Sequence, residues 1–139
     1  MKQVFADAAY WIALLNPKDQ LHQRTKSVSS MLGATRTVTS EMVLAEVLNA
    51  FAERGNHLRR AVVSLVDQLQ KNPNIDIVPQ TSIQFNDALK LYRERQDKEW
   101  SLTDCTSILI SKEKGIQEAL AYDKHFAQAG ITPLLREDH

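Results

Sequence analysis

Short β-branched or apolar runs alternate along this chain with longer stretches whose apolar residues recur every three or four positions. The runs Lys2 to Ala6, Arg36 to Thr39, Ile75 to Val78, Ala119 to Tyr122 and Ile131 to Leu135 predict strands. Helices are predicted over Ala8 to Asn16, Gln20 to Leu32, Ser40 to about Arg54, His57 to Lys71, Ser82 to Gln96, Ser101 to Lys114 and Asp123 to Ala129. Pro17, Gly33, Gly55 and Gly115 stand where helices should stop, and Asn72-Pro73-Asn74 has the chemistry of a turn. Ser40 suits an N-cap, since its hydroxyl can accept from the first free amides of the helix that follows.

Strands separated by helices pair in parallel through right-handed crossovers. The expected fold class is therefore α/β, with a central parallel sheet of about five strands flanked on both faces by helices in three layers. In such sheets, ligands bind beyond the carboxyl ends of the strands. Asp7 and Asp123 stand at strand ends, Glu46 lies two turns into the helix leaving another strand, and Asp104 lies in the first turn of its helix. The expectation is that all four reach one edge of the sheet.

The 139 residues predict a single domain over 1–139, large enough for a hydrophobic core, and 43% of them are apolar. No linker, repeat or low-complexity tract divides the chain. Cys105 is the single cysteine, so no disulfide can form within the chain and a cytoplasmic protein is expected. No apolar run is long enough to cross a bilayer, and the N-terminus, with its early Asp7, reads as structure rather than as a leader. Lys+Arg and Asp+Glu balance at 17 each, which is unlike a protein that coats nucleic acid. A nuclease needs only a local basic rim, and a bound cation adds charge of its own.

Each acid has an ordinary structural use. Asp7 and Asp123 suit helix caps, Asp104 with Ser101 suits a capping box, and Glu46 falls off the apolar stripe of Val43, Leu44, Val47, Leu48 and Phe51. Capping does not explain why the four should converge, and it does not explain Glu46. Four neighbouring carboxylates repel and resist ionising unless a cation neutralises them. Oxygen-only ligands suit Mg²⁺ or Mn²⁺, whereas zinc favours His or Cys. A hard divalent cation among acids points to phosphate chemistry, because it stabilises charge on phosphoryl oxygens and lowers the pKa of water.

These segments resemble the PIN-domain nucleases. VFADAAYWIALLNPKDQLH is similar to the family's opening, with an Asp ending the first strand before an aromatic-rich helix. TSEMVLAEVLNAF resembles the helix bearing the family's Glu, which maps onto Glu46; SLTDCTSILI maps its third acid onto Asp104; EALAYDKHFAQAGI maps its last onto Asp123. The motifs span nearly the whole chain in the family's order, and the size resembles the VapC-like toxins of type II toxin–antitoxin pairs. Two positions depart from the pattern: Ala8 and Ala121 stand where hydroxyl residues are frequent.

The resemblance implies a PIN-like α/β/α fold and an endoribonuclease dependent on Mg²⁺ or Mn²⁺. Asp7, Asp104, Asp123 and Glu46 would be its catalytic and metal-binding residues, and Glu46 could instead orient the attacking water. It further implies RNA as substrate, a small cognate antitoxin as partner and a homodimer. Lys124 and His125, beside Asp123, are candidate RNA contacts; so are Arg59 and Arg60 within the cluster of Arg54 and His57, although a solvated helix face explains that cluster as well. Trp11 and Trp100 are expected to pack rather than stack on bases, Cys105 to be buried, and Asp97 to be at most an outer acid. The alternative is a non-catalytic PIN-like scaffold that binds RNA or protein. An Asp-nucleophile hydrolase would want a second acid two residues after the first, where Ala9 stands. Asp76 lies inside its strand rather than at its end, against a phospho-accepting receiver, and four glycines form no phosphate loop.

Overall fold

The computed structural model describes residues 1–137. Its sheet has five parallel strands: β1 (Lys2–Ala6), β2 (Thr35–Ser40), β3 (Ile75–Val78), β4 (Glu118–Leu120) and β5 (Thr132–Pro133), in the order β3-β2-β1-β4-β5. Seven helices connect them: α1 (Ala8–Leu15), α2 (His22–Met31), α3 (Glu41–Ala50), α4 (Asn56–Lys71), α5 (Ser82–Glu94), α6 (Leu102–Glu113) and α7 (Lys124–Gln128). The chain starts at the centre, builds outward through β2 and β3, then returns to the other side of β1 to add β4 and β5. The direction of building thus reverses between β1 and β4, the switch point at which α/β sheets open a crevice.

Burial explains why β1 is central. Val4, Phe5 and Ala6 alternate between the two faces, yet all three are fully buried, so helices cover both sides. Phe5 meets Phe126 of α7 at a ring-centroid distance of 6.1 Å. α3 buries Val43, Leu44 and Val47 and leaves Glu46 exposed. α6 is buried on most sides, Cys105 and Ile108 included, which makes it a central pillar of the helical layer. Trp11 and Trp100 are buried as expected; their indole N–H groups donate to Thr39 Oγ1 at 3.3 Å and Gln128 Oε1 at 3.0 Å. No helix among the described residues is long and apolar enough to cross a membrane.

Candidate active site

The site lies at the carboxyl ends of β1 and β4. Asp7 is the residue after β1, and its amide donates to the Leu120 carbonyl at the end of β4, 3.1 Å away. Asp123 follows β4 by three residues. Helices α1, α3, α6 and α7 all begin at or near this edge, so their positive ends favour negative charge there.

The four acids differ in how local structure uses them. Ser40 caps α3 by accepting from the Val43 amide at 3.1 Å, which fixes the helix that presents Glu46 one turn further on. Ser101 and Asp104 form a reciprocal capping box: the Asp104 amide donates to Ser101 Oγ at 3.0 Å and the Ser101 amide to Asp104 Oδ2 at 2.9 Å. Asp123 caps α7 by accepting from the His125 amide at 3.1 Å. Asp7 occupies the N-cap position of α1 but makes no side-chain capping bond.

Asp7 is the electrostatic centre of the group. Although the residue is only half-buried, its carboxyl is drawn out of water, and this burial is the main cause lifting its pKa from 3.8 to about 7. The Ala8 amide opposes the rise; repulsion from Asp104, Glu46 and Asp123 adds to it, in that order. All three other acids therefore act on Asp7.

His125 joins two of them. Its Nδ1 lies 2.7 Å from Asp104 Oδ2 and 3.2 Å from Asp123 Oδ2. An ionised carboxylate only accepts, so Nδ1 carries the proton and donates. Nδ1 is thus turned towards carboxylates, and Nε2 is the remaining nitrogen of this candidate RNA contact. No local signal marks this bridge, since His125 and Asp104 are 21 residues apart. Lys124 is exposed on the first turn of α7.

Among the described residues, Arg59 and Arg60 form no ion pair with the four acids. Arg59 instead donates to the Ala52 carbonyl at 2.8 Å, which braces the turn before α4. Asp97 pairs with Arg95 at 3.0 Å, and that partner holds its carboxyl below the usual range. Burial, with Asp104 beside it, pushes the Cys105 thiol up, so it is no nucleophile at neutral pH. Ala8 and Ala121 are buried, and the hydroxyl of Thr39 stands nearby in the β-sheet, donating to the Ala6 carbonyl at 2.9 Å.

The donor set suits a hard divalent cation. It is made of carboxylate oxygens, it includes an uncapped carboxyl in a desolvated place, and Glu46 and Asp123 keep its outer side open to water. Both bonds to the Asp104 carboxyl land on Oδ2, which leaves Oδ1 as the oxygen for a cation. Among the described residues, no group of three or more His, Cys, Asp or Glu side chains is arranged to hold a metal ion as it stands.

Comparisons with known proteins agree with this fold. The PIN domain family matches residues 4–131. The 23S rRNA-specific endonuclease VapC20 of Mycobacterium tuberculosis is 29% identical over 134 residues, 96% of this chain and 99% of its own. The crystal structure of that organism's VapC20, described as a sarcin–ricin loop cleaving toxin, superposes with a TM-score of 0.82 at 26% identity, covering 93% of this chain and 96% of its own. FitAcB from Neisseria gonorrhoeae has the same fold, with a TM-score of 0.62 at 17% identity over 94% of this chain and 95% of its own.

Proposed function

The chain belongs to the PIN domain family, and from that premise we propose that it is an endoribonuclease toxin acting through Asp7, Glu46, Asp104 and Asp123 with Mg²⁺ or Mn²⁺. The observation that supports this most is Asp7. A carboxyl that is desolvated, uncapped and surrounded by three other acids destabilises the fold for no structural return. A non-catalytic scaffold gives no reason to keep it.

Bound among these oxygens, a divalent cation would supply positive charge to the phosphoryl group undergoing hydrolysis. Asp7, Asp104 and Asp123 would hold it. Glu46, exposed on α3, would orient the attacking water and accept its proton. His125 Nδ1 fixes the rotamer of Asp104 by its bond to Oδ2, and the capping box fixes the backbone beneath it.

Similarity to VapC20 supports RNA as the substrate, with ribosomal RNA the first to try, and supports a small antitoxin that covers the acidic cleft. A cytoplasmic homodimer completes the reading. The test is cleavage of ribosomal RNA and of a sarcin–ricin loop hairpin by purified protein, with Mg²⁺ or Mn²⁺ against EDTA. Cation-dependent cutting that falls about a hundredfold in Glu46→Gln supports the proposal. Cutting that continues undiminished in EDTA or in that variant rejects it.

A further inference from the structure

Beside the acids, the same edge of the sheet holds a cleft of different chemistry. Tyr122 lies two residues past β4 and directly before Asp123, and Leu135 and Arg136 follow β5. With Gln20 and Arg24 from around the start of α2, they line a cavity of about 440 Å³. That is within the range of small-molecule sites, roughly 300–1,000 Å³.

Its walls offer an aromatic surface and two guanidinium groups. Tyr122 is 41% exposed. The Arg136 guanidinium lies over its ring, 5.1 Å from the centroid, and Arg136 Nη1 donates to the Tyr122 carbonyl at 3.1 Å. Ring and guanidinium are therefore held as a stack instead of moving independently. Arg24 Nη2 reaches the Leu134 and Arg136 carbonyls only at 3.4 Å, and its Nε is out of contact with water and has no partner. The Arg24 guanidinium is held in place but weakly satisfied. Among the described lining residues, Arg24 and Arg136 stand with one acid, Glu137.

A stacked aromatic–guanidinium pair is a platform for an unpaired base, and a fixed guanidinium beside it matches a phosphate. An acidic peptide would use the arginines but not the aromatic face. We propose that this cleft is a nucleotide subsite next to the cleavage centre, with one RNA base stacked on the Tyr122–Arg136 pair and an adjoining phosphate held by Arg24. The proposal rests on the nuclease reading above and adds to it where the substrate strand runs: from the acids, past Tyr122, towards α2.

Binding is measured apart from cleavage, in an Asp7→Asn background with EDTA, by fluorescence anisotropy of a labelled sarcin–ricin loop hairpin over a salt series. Tyr122→Ala should weaken binding about tenfold or more at every salt concentration with the salt slope unchanged, because it removes a stack. Tyr122→Phe should restore it. Arg24→Gln should lower the slope of log K against log salt by about one, the signature of one lost phosphate contact, and Arg24→Lys should keep the slope. Thermal melts establish that each variant folds, and the Tyr122 pair decides the matter if Arg24→Gln does not. If folded Tyr122→Ala binds like its parent while the wild-type chain cuts the same hairpin, the subsite is wrong and the nuclease reading stands. A wild-type chain that neither cuts nor binds the hairpin overturns both.

Discussion

Replacing Asp7 with Asn should stabilise the metal-free protein, in a way that depends on pH. The unfolded carboxyl titrates near 3.8 and the folded one at about 7. Between those values the folded state binds the additional proton, so stability falls as pH rises through the window, and the deficit is complete above 7. The full shift corresponds to roughly 4 kcal/mol. Because water still reaches part of the residue, about half of that, ~2 kcal/mol, is the expected effect. For a chain of this size, ~2 kcal/mol is a Tm difference on the order of 8 °C. Asn keeps the shape and carries no charge at any pH. In EDTA, Asp7→Asn should melt with the wild type at pH 4 and well above it at pH 8.5. Adding Mn²⁺ at pH 8.5 should raise the wild-type Tm and leave the variant nearly unchanged. A difference that is the same at both pH values, or a variant less stable at pH 8.5, would refute the reasoning that repulsion and burial load this one carboxyl.

Other expectations separate the roles of neighbouring residues. Glu46→Gln should lower RNA cleavage about a hundredfold while moving stability by no more than about 0.5 kcal/mol, since the residue is exposed; activity and melting curves check this together. His125→Asn keeps a donor in the place of Nδ1 and His125→Gln shifts it to the place of Nε2, so Asn should retain Mn²⁺ affinity and Gln should lose about 10- to 100-fold by calorimetry. Ser101→Ala breaks the capping box and should cost about 1 kcal/mol in a denaturant titration. Cys105 should resist thiol reagents in the native state and react only on unfolding.

Much of this architecture is local in origin and was therefore legible in the sequence. Ser40, Ser101 and Asp123 announce the starts of α3, α6 and α7, and each side chain makes the bond expected of a cap. The differences lie at element ends. The last strand, expected from Ile131 to Leu135, narrows to Thr132–Pro133: Pro133 has no N–H to give the ladder, and the chain turns immediately after it. The strand expected to reach Tyr122 ends at Leu120, because the chain must leave the sheet to place Asp123 at the head of α7. The helix expected to run to Arg54 ends at Ala50, where Phe51 turns into the core.

At the site, each of the four acids has a local context that marks it in the sequence, and the parallel topology brings Asp7 within electrostatic reach of the other three. The His125 bridge and the Arg24–Tyr122–Arg136 cleft have no such mark. The bridge ties His125 to an acid 21 positions away, the cleft lets Arg24 reach a carbonyl 112 positions away, and neither separation has a local signal. The basic cluster at Arg59 and Arg60 was visible as composition alone, and composition did not reveal that Arg59 braces a turn.

The central claim is that Asp7, Glu46, Asp104 and Asp123 form one cation-binding centre. Anomalous diffraction from crystals soaked in Mn²⁺ tests it most directly. The account predicts a manganese peak at the carboxyl ends of β1 and β4, within bonding distance of Asp7 and of Asp104 or Asp123. A protein that cuts RNA in Mn²⁺ yet shows its manganese elsewhere, with these four carboxylates uncoordinated, would contradict it.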